Sequence, residues 1–132
     1  MEIFISDSKT LGEIKKEFNE RFPHLKLEFY GLSHKEGEGS PEKYHFDDSI
    51  TVSKARSKHV DGHLSIIGSQ NTKTLEQQFK DFYGLNVQVF RKSGKLWMQT
   101  TSTDHWTLEE QESHASSKEH ERDLEKEFPD MN

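Results

Sequence analysis

The residues of this chain best suited to recognition lie in one short stretch, VQVFRKSGKLWMQT, residues 87–100. Read as a β-hairpin turning on Ser93-Gly94, it pairs Lys92 with Lys95, Arg91 with Leu96, Phe90 with Trp97, Val89 with Met98 and Gln88 with Gln99. Side chains alternate along a strand. Val87, Val89, Leu96 and Met98 therefore fall on one face with Arg91 and Thr100, and Gln88, Phe90, Lys92, Lys95, Trp97 and Gln99 fall on the other. The aliphatic face suits the underside of a helix and is expected to be core. The second face sets an aromatic pair between amides at one end and lysines at the other. Rings flanked by cations are what a single-stranded nucleic acid needs, because bases stack on the rings while lysines meet phosphates. The same rings also suit another protein, since tryptophan, phenylalanine and methionine anchor interfaces. Set beside both is a structural reading that takes precedence over them. In it, Phe90 and Trp97 form a cross-strand pair that stabilises the hairpin by something under about 1 kcal/mol.

Other chemistry is written less clearly. Among eight histidines, His59-Val60-Asp61-Gly62-His63 brings together candidate metal ligands, and Glu110 with His114 stands at helical i, i+4 spacing. Zinc needs three or four convergent ligands, no HExxH framework is written, and Asp61-Gly62 reads more simply as a turn, so no metal is expected. The absence of cysteine excludes thiolate metal sites, disulfides and thiol nucleophiles together. GEGS at 37–40 lacks the Lys-Ser/Thr of a phosphate loop, SGK at 93–95 sits in a hairpin turn, and no nucleophile elbow occurs. Asp104 and His105, adjacent on an extended chain, would point apart. No catalytic residue and no cofactor is assigned, and the enzyme reading stands third. Lys54, Arg56, Lys58 and His59 cluster in sequence and read as a solvated basic surface.

The elements that must position these side chains announce themselves through their starts. Thr10-Leu11-Gly12-Glu13, Thr74-Leu75-Glu76-Gln77 and Thr107-Leu108-Glu109-Glu110 each carry the threonine and the acid or amide of a capping box. Behind the first, Ile14, Phe18 and Phe22 form a helical stripe beside Leu11; behind the second come Leu75, Phe79 and Phe82. Pro23 and Gly84 stand where these helices should stop, and HLKLEFY (24–30) and GLNVQVF (84–90) follow as strands. The two stretches align at an offset of 64 residues on the threonines and 60 on the strands, a difference of about one helical turn. Asp48-Ser49-Ile50-Thr51-Val52 matches Asp104-His105-Trp106-Thr107-Leu108 at an offset of 56, and the strand starts EIFIS and HLSIIGS precede the two helices. The pattern predicts an α+β fold made of a duplicated βαββα unit, with helices packed on one face of a mixed sheet. A ferredoxin-like core is the nearest simple topology and a tandem β-grasp-like arrangement the alternative.

Residues 74–111, TLEQQFKDFYGLNVQVFRKSGKLWMQTTSTDHWTLEEQ, resemble a family of small uncharacterised bacterial proteins in which a Gly-Leu-x-Val-Gln-Val-Phe hairpin precedes an Asp-x-Trp-Thr-Leu segment. The resemblance implies a bacterial source and boundaries for the second unit. It implies no activity.

Composition bounds what remains. The 132 residues suffice for one ordinary domain, the mean hydropathy is −1.00, and the formal charge is −6. That charge lies wholly in residues 109–132, which carry nine acids and three bases; elsewhere acids and bases cancel. A globally basic, phosphate-seeking protein is excluded, but a locally basic patch is not. MEIFIS at the start has neither a basic leader nor an apolar run long enough for export, so a cytoplasmic protein with no membrane contact is expected. The expectation is a single domain over residues 1–112, in repeats of about 1–60 and 61–112, followed by an acidic tail over 113–132 that is helical or disordered. Its function is expected to be that of a non-catalytic interaction module binding another protein through the aromatic hairpin face or a sheet edge. Single-stranded nucleic acid on the Phe90/Trp97 face is the alternative.

Overall fold

The structure, a computed structural model, describes residues 1–31 and 38–127, with side chains as far as residue 119. Its elements run β1 (Glu2–Ile5), α1 (Leu11–Arg21), β2 (Leu25–Tyr30), a 3-10 turn (Glu42–Tyr44), α2 (Val52–Ala55), β3 (Gly62–Ser65), α3 (Thr72–Tyr83), β4 (Asn86–Ser93), β5 (Leu96–Gln99) and α4 (Leu108–Glu127).

Threonine caps start three of the four α-helices. At α1 the Thr10 hydroxyl accepts from the Glu13 amide at 3.2 Å, and the Glu13 carboxylate reaches back to the Thr10 amide. The same reciprocal pair opens α4, where the Glu110 amide donates to Thr107 at 3.1 Å and the Thr107 amide donates to Glu110 at 3.2 Å. Thr51 caps α2 through the Lys54 amide. The box expected at Thr74 is not a helix start, because α3 begins three residues earlier than that cap would place it, at Thr72 behind Asn71, whose side chain makes no capping bond. Leu75 and Ile14 then stand at matching positions of their helices, both fully buried, and the offset is 61 residues, not 64. The buried stripe of α3 is Leu75, Phe79 and Tyr83, while Phe82 is 55% exposed. Gly84 ends α3 at φ +66°, a left-handed conformation that costs glycine least, with its amide on the Lys80 carbonyl and the Leu85 amide on the Phe79 carbonyl.

A second set of bonds joins helix starts to one another. The first two amides of α1, Leu11 and Gly12, donate to the carbonyls of Ile50 and Asp48, and those of α2, Val52 and Ser53, return to Lys9 and Asp7. Further on, Thr72 and Lys73 of α3 donate to Trp106 and Asp104, and Leu108 and Glu109 of α4 return to Gln70 and Gly68. Helix N-termini carry amides with no partner inside the helix. Here each pair of helices satisfies them with the chain that leads into the other. The residue at the first helical position is buried every time: Leu11, Val52, Thr72 and Leu108.

The α+β class stands, but the single mixed sheet expected from the sequence does not form. The strands make two sheets, β1-β3 and β2-β4-β5, and every pairing in them is antiparallel. Two residues of β1 and one of β3 (Ile3, Ile5 and Leu64) face the core, as do Leu25, Leu27 and Phe29 of β2 and Val87 and Val89 of β4, against α1 and α3. Phe29 meets Phe79 edge to face at 5.9 Å. The second strand expected in the first half is not among the described elements; residues 44–46 instead run beside β2, with the Gly31 amide on the Tyr44 carbonyl and the Phe46 amide on the Phe29 carbonyl. Helix α4 runs through residues 112 and 113, so the expected boundary of the tail falls inside a helix. Among the described residues no helix is long and apolar enough to cross a membrane.

The cap geometry separates two kinds of threonine. Thr10→Ala and Thr107→Ala will each lower the unfolding free energy by about 1 kcal/mol. Thr74→Ala will change it by less than about 0.5 kcal/mol. Urea denaturation followed by circular dichroism measures all three.

Candidate interaction surface

The hairpin forms one step away from the register its sequence suggests. Ser93 faces Leu96, Lys92 faces Trp97, Arg91 faces Met98 and Phe90 faces Gln99, so the turn is Gly94-Lys95. A turn on Ser93-Gly94 would ask serine for positive φ. Placing Gly94 first, at φ +66°, confines that conformation to glycine and leaves Lys95 at negative φ, the signs of a type II′ turn. The partner of Phe90 moves two residues along β5, from Trp97 to Gln99. Because the side-chain period is two, the membership of the faces survives the slip.

The aliphatic face is core only along β4. Val87 and Val89 are buried, but Leu96 is 70% and Met98 51% exposed, because the hairpin carries them beyond the layer of α1 and α3. Arg91 on the same face bonds to Thr103 and Gln111 and lies 5.1 Å from the Trp106 ring centroid. Trp106 in turn meets His114 of α4. Burial lowers the Arg91 pKa.

The opposite face is neither open nor core. Gln88 is fully buried, Phe90, Lys92, Trp97 and Gln99 are half-buried, and Lys95 projects from the turn. Both amides are occupied in holding Ser40. Gln99 accepts from the Ser40 amide at 2.9 Å and donates to its carbonyl at 3.0 Å, while the Ser40 hydroxyl donates to Gln88 at 3.4 Å. Gln88 also donates to Glu76, whose carboxylate accepts the Val89 amide at 2.8 Å where β5 has already left the side of β4. Across the rings lies Lys26 of β2, its Nζ 5.4 Å from the Phe90 centroid and 5.0 Å from that of Trp97. The sequence reading missed Lys26. Alternation in HLKLEFY puts it on the outer face, but only the β2-β4 pairing, in which Lys26 stands opposite Phe90, brings it to these rings.

Beside this patch the outer face is polar and tightly bonded. Lys15 reaches from α1 to Glu28 at 2.7 Å and to Asp48, and Glu28 also meets His45 at 2.9 Å. Burial alone would lower the Lys15 pKa; the two carboxylates outweigh it and raise the value. The buried Tyr30 hydroxyl has no hydrogen-bond partner among the described residues. Burial first, then the charges of Glu42 and Glu28, raises its pKa, so it stays protonated.

The remaining sequence candidates resolve into structural contacts. Arg56 is buried, not part of a solvated basic surface: it bonds to Asp7 at 2.8 Å, Asp61 at 3.2 Å, and the carbonyls of Val60 and Tyr83. Its position follows from α2 ending at Ala55, which turns Arg56 inward against the end of α3. His59 pairs with Asp7 at 2.8 Å, and His63 stacks on Phe4. His24 lies between Glu112 and Glu119 of α4. Among the described residues no group of three metal-ligating side chains converges. A cleft of about 280 Å³ lies between α3 and β4, with Lys73, Lys80, Glu76 and Asp104 in its walls, but Glu76 is already committed to Val89 and Gln88.

Two measurements test this geometry. In a Trp106→Phe background, where Trp97 is the sole indole, Lys26→Ala will red-shift the emission, increase acrylamide quenching and lower stability by about 0.5–1 kcal/mol. Burial would raise the Asp7 pKa, but hydrogen bonds and charge from Arg56 and His59 outweigh it and hold the carboxyl low. A depressed folded pKa stabilises above the unfolded value near 4, and the contribution is lost as pH falls through the folded value. Urea melts of wild type and Asp7→Asn at stepped pH will therefore differ at neutral pH and converge below about pH 4.

No family model, no curated protein and no solved structure matches the chain.

Proposed function

We propose that this chain is a non-catalytic protein-interaction module of the bacterial cytoplasm, docking through the β4–β5 hairpin and the free edge of β5. The observation that carries the proposal is the exposure of Leu96 and Met98 on a strand that, among the described residues, has a neighbouring strand on one side only. Apolar side chains left uncovered beside a half-buried tryptophan are the composition of an interface centre. The bacterial assignment rests on the motif resemblance in residues 74–111, and the cytoplasmic one on the lack of an apolar run long enough for export.

We infer also that the chain is a duplicated βαββα unit. Two registers support this. Ile3 stands opposite Leu64 in the small sheet and Glu28 opposite Gln88 in the large one, each residue facing its own counterpart at offsets of 61 and 60. That is what an approximate twofold axis through both sheets would produce. The reciprocal bonds at the helix starts recur in the same order in both halves.

Single-stranded nucleic acid is the second reading, favoured by the cations Lys26, Lys92 and Lys95 around the two rings. It is weakened by Lys26 itself, which occupies the ring faces where bases would stack. Fluorescence anisotropy with labelled oligothymidylate and oligouridylate distinguishes the readings. The protein-docking reading expects no saturable binding at about 0.15 M salt. Affinity that falls steeply with salt and with Lys92→Ala and Lys95→Ala would restore the nucleic-acid reading. Peptides selected from a display library on the full chain should lose binding to Met98→Lys and keep it with Phe4→Ser, which alters the other sheet. Equal binding to both variants would remove the hairpin as the docking surface.

A further inference from the structure

We infer that the free edge of β5 takes an extended partner segment in which aliphatic and acidic side chains alternate, added as a fourth strand to the β2-β4-β5 sheet. This deepens the docking reading above and rests on it.

Backbone phase shows what the edge offers. The Thr100 amide donates to the Val89 carbonyl, which fixes the phase: the N–H and C=O groups of Met98 and Leu96 point toward β4, opposite Arg91 and Ser93. The N–H and C=O groups of Trp97 and Gln99 then point away from β4. Among the described residues no backbone hydrogen bond from outside the hairpin reaches them. An edge of unpaired donors and acceptors is a template for another strand, and proteins ordinarily guard it with proline, a bulge or an inward charge. Leu96, Trp97, Met98 and Gln99 contain no proline and no charge, and the edge is limited only by the four-residue length of the strand and by Lys95 in the turn before it.

The two sides of the edge differ in chemistry, and the difference specifies the partner. On the helix side, Leu96 and Met98 offer uncovered apolar surface that matches aliphatic side chains. On the other side, Trp97 stands beside Lys92, with Lys26 over its ring and Lys95 in the adjoining turn. Among the described residues neither Lys92 nor Lys95 is in an ion pair, so this side is locally cationic on a chain of net charge −6. Side chains of an added strand alternate between the two sides, so the complementary sequence alternates aliphatic and acidic residues. A second copy of this chain fits less well. Pairing β5 with β5 would bring the same lysines to the same side and neutralise none of them.

The test uses full-length Trp106→Phe, with Trp97 as reporter, and capped octapeptides of alternating valine and glutamate, valine and lysine, or valine and serine. The inference expects a saturable blue shift with the valine–glutamate peptide. It expects affinity about tenfold weaker in Lys92→Ala/Lys95→Ala, falling with added salt, and lost when the peptide amides are N-methylated. Equal affinity for valine–serine would overturn the acidic preference and leave docking at the edge intact. Equal affinity of the N-methylated peptide would overturn strand addition. Sedimentation showing a dimer that Met98→Lys dissolves would assign the edge to a second copy, again overturning the inference but not the docking reading. No response of Trp97 to any peptide, with a monomeric chain, would overturn both.

Discussion

Eight backbone amides at four helix starts are the constraint from which the rest of this fold follows. Each of those groups would be left without a partner in an isolated helix, and each is satisfied by the carbonyls of the segment entering another helix. The arrangement holds α1 to α2 and α3 to α4 over long sequence separations, and it drives Leu11, Val52, Thr72 and Leu108 into the interior. A four-residue helix such as α2 would have little stability alone. It persists because its first amides complete the start of α1. By the same means α4 is anchored at Leu108, so Gln111 comes within reach of Arg91 and Trp106 of His114.

The hairpin inherits its character from that anchoring. Along β4 the inner face is sealed by α3 and α4, and beyond Val89 the sealing ends. Leu96 and Met98 lie past this limit. On the outer face, Ser40 and Lys26 act as partial covers, the first bonded to two glutamines and the second spread over two rings. The Lys26 ammonium lies over both ring faces, where the negative face of each ring attracts it. The result is a sheet with one buried end and one end where, among the described residues, Leu96 and Met98 are exposed on one side and lysines flank the rings on the other.

Ion pairs carry much of the polar structure in the same arrangement. Several charged groups hold distant segments of the chain together: Asp7 and Asp61 on Arg56, Glu28 and Asp48 on Lys15, Glu112 and Glu119 on His24. Such pairs fix geometry where the apolar core is thin.

Local signals were legible from the residues alone. The threonine caps at Thr10 and Thr107, the stop at Gly84, the stripe of Ile14, Phe18 and Phe22 and the two faces of the hairpin depend on interactions within a few residues. Alternation and helical periodicity express those interactions directly. One local pattern misled: Thr74-Leu75 looks like a helix start, yet the bonds that the Thr72 and Lys73 amides donate to the Trp106 and Asp104 carbonyls set the start of α3 at Thr72. Whether the strands form one sheet or two, which lysine lies over Phe90 and Trp97, and where the cover of the inner face ends were decided only in three dimensions. These properties depend on pairings between segments tens of residues apart, such as Lys26 with Phe90 and Gln70 with Leu108. The energy of such a pairing belongs to the assembled neighbours and is written in neither segment by itself.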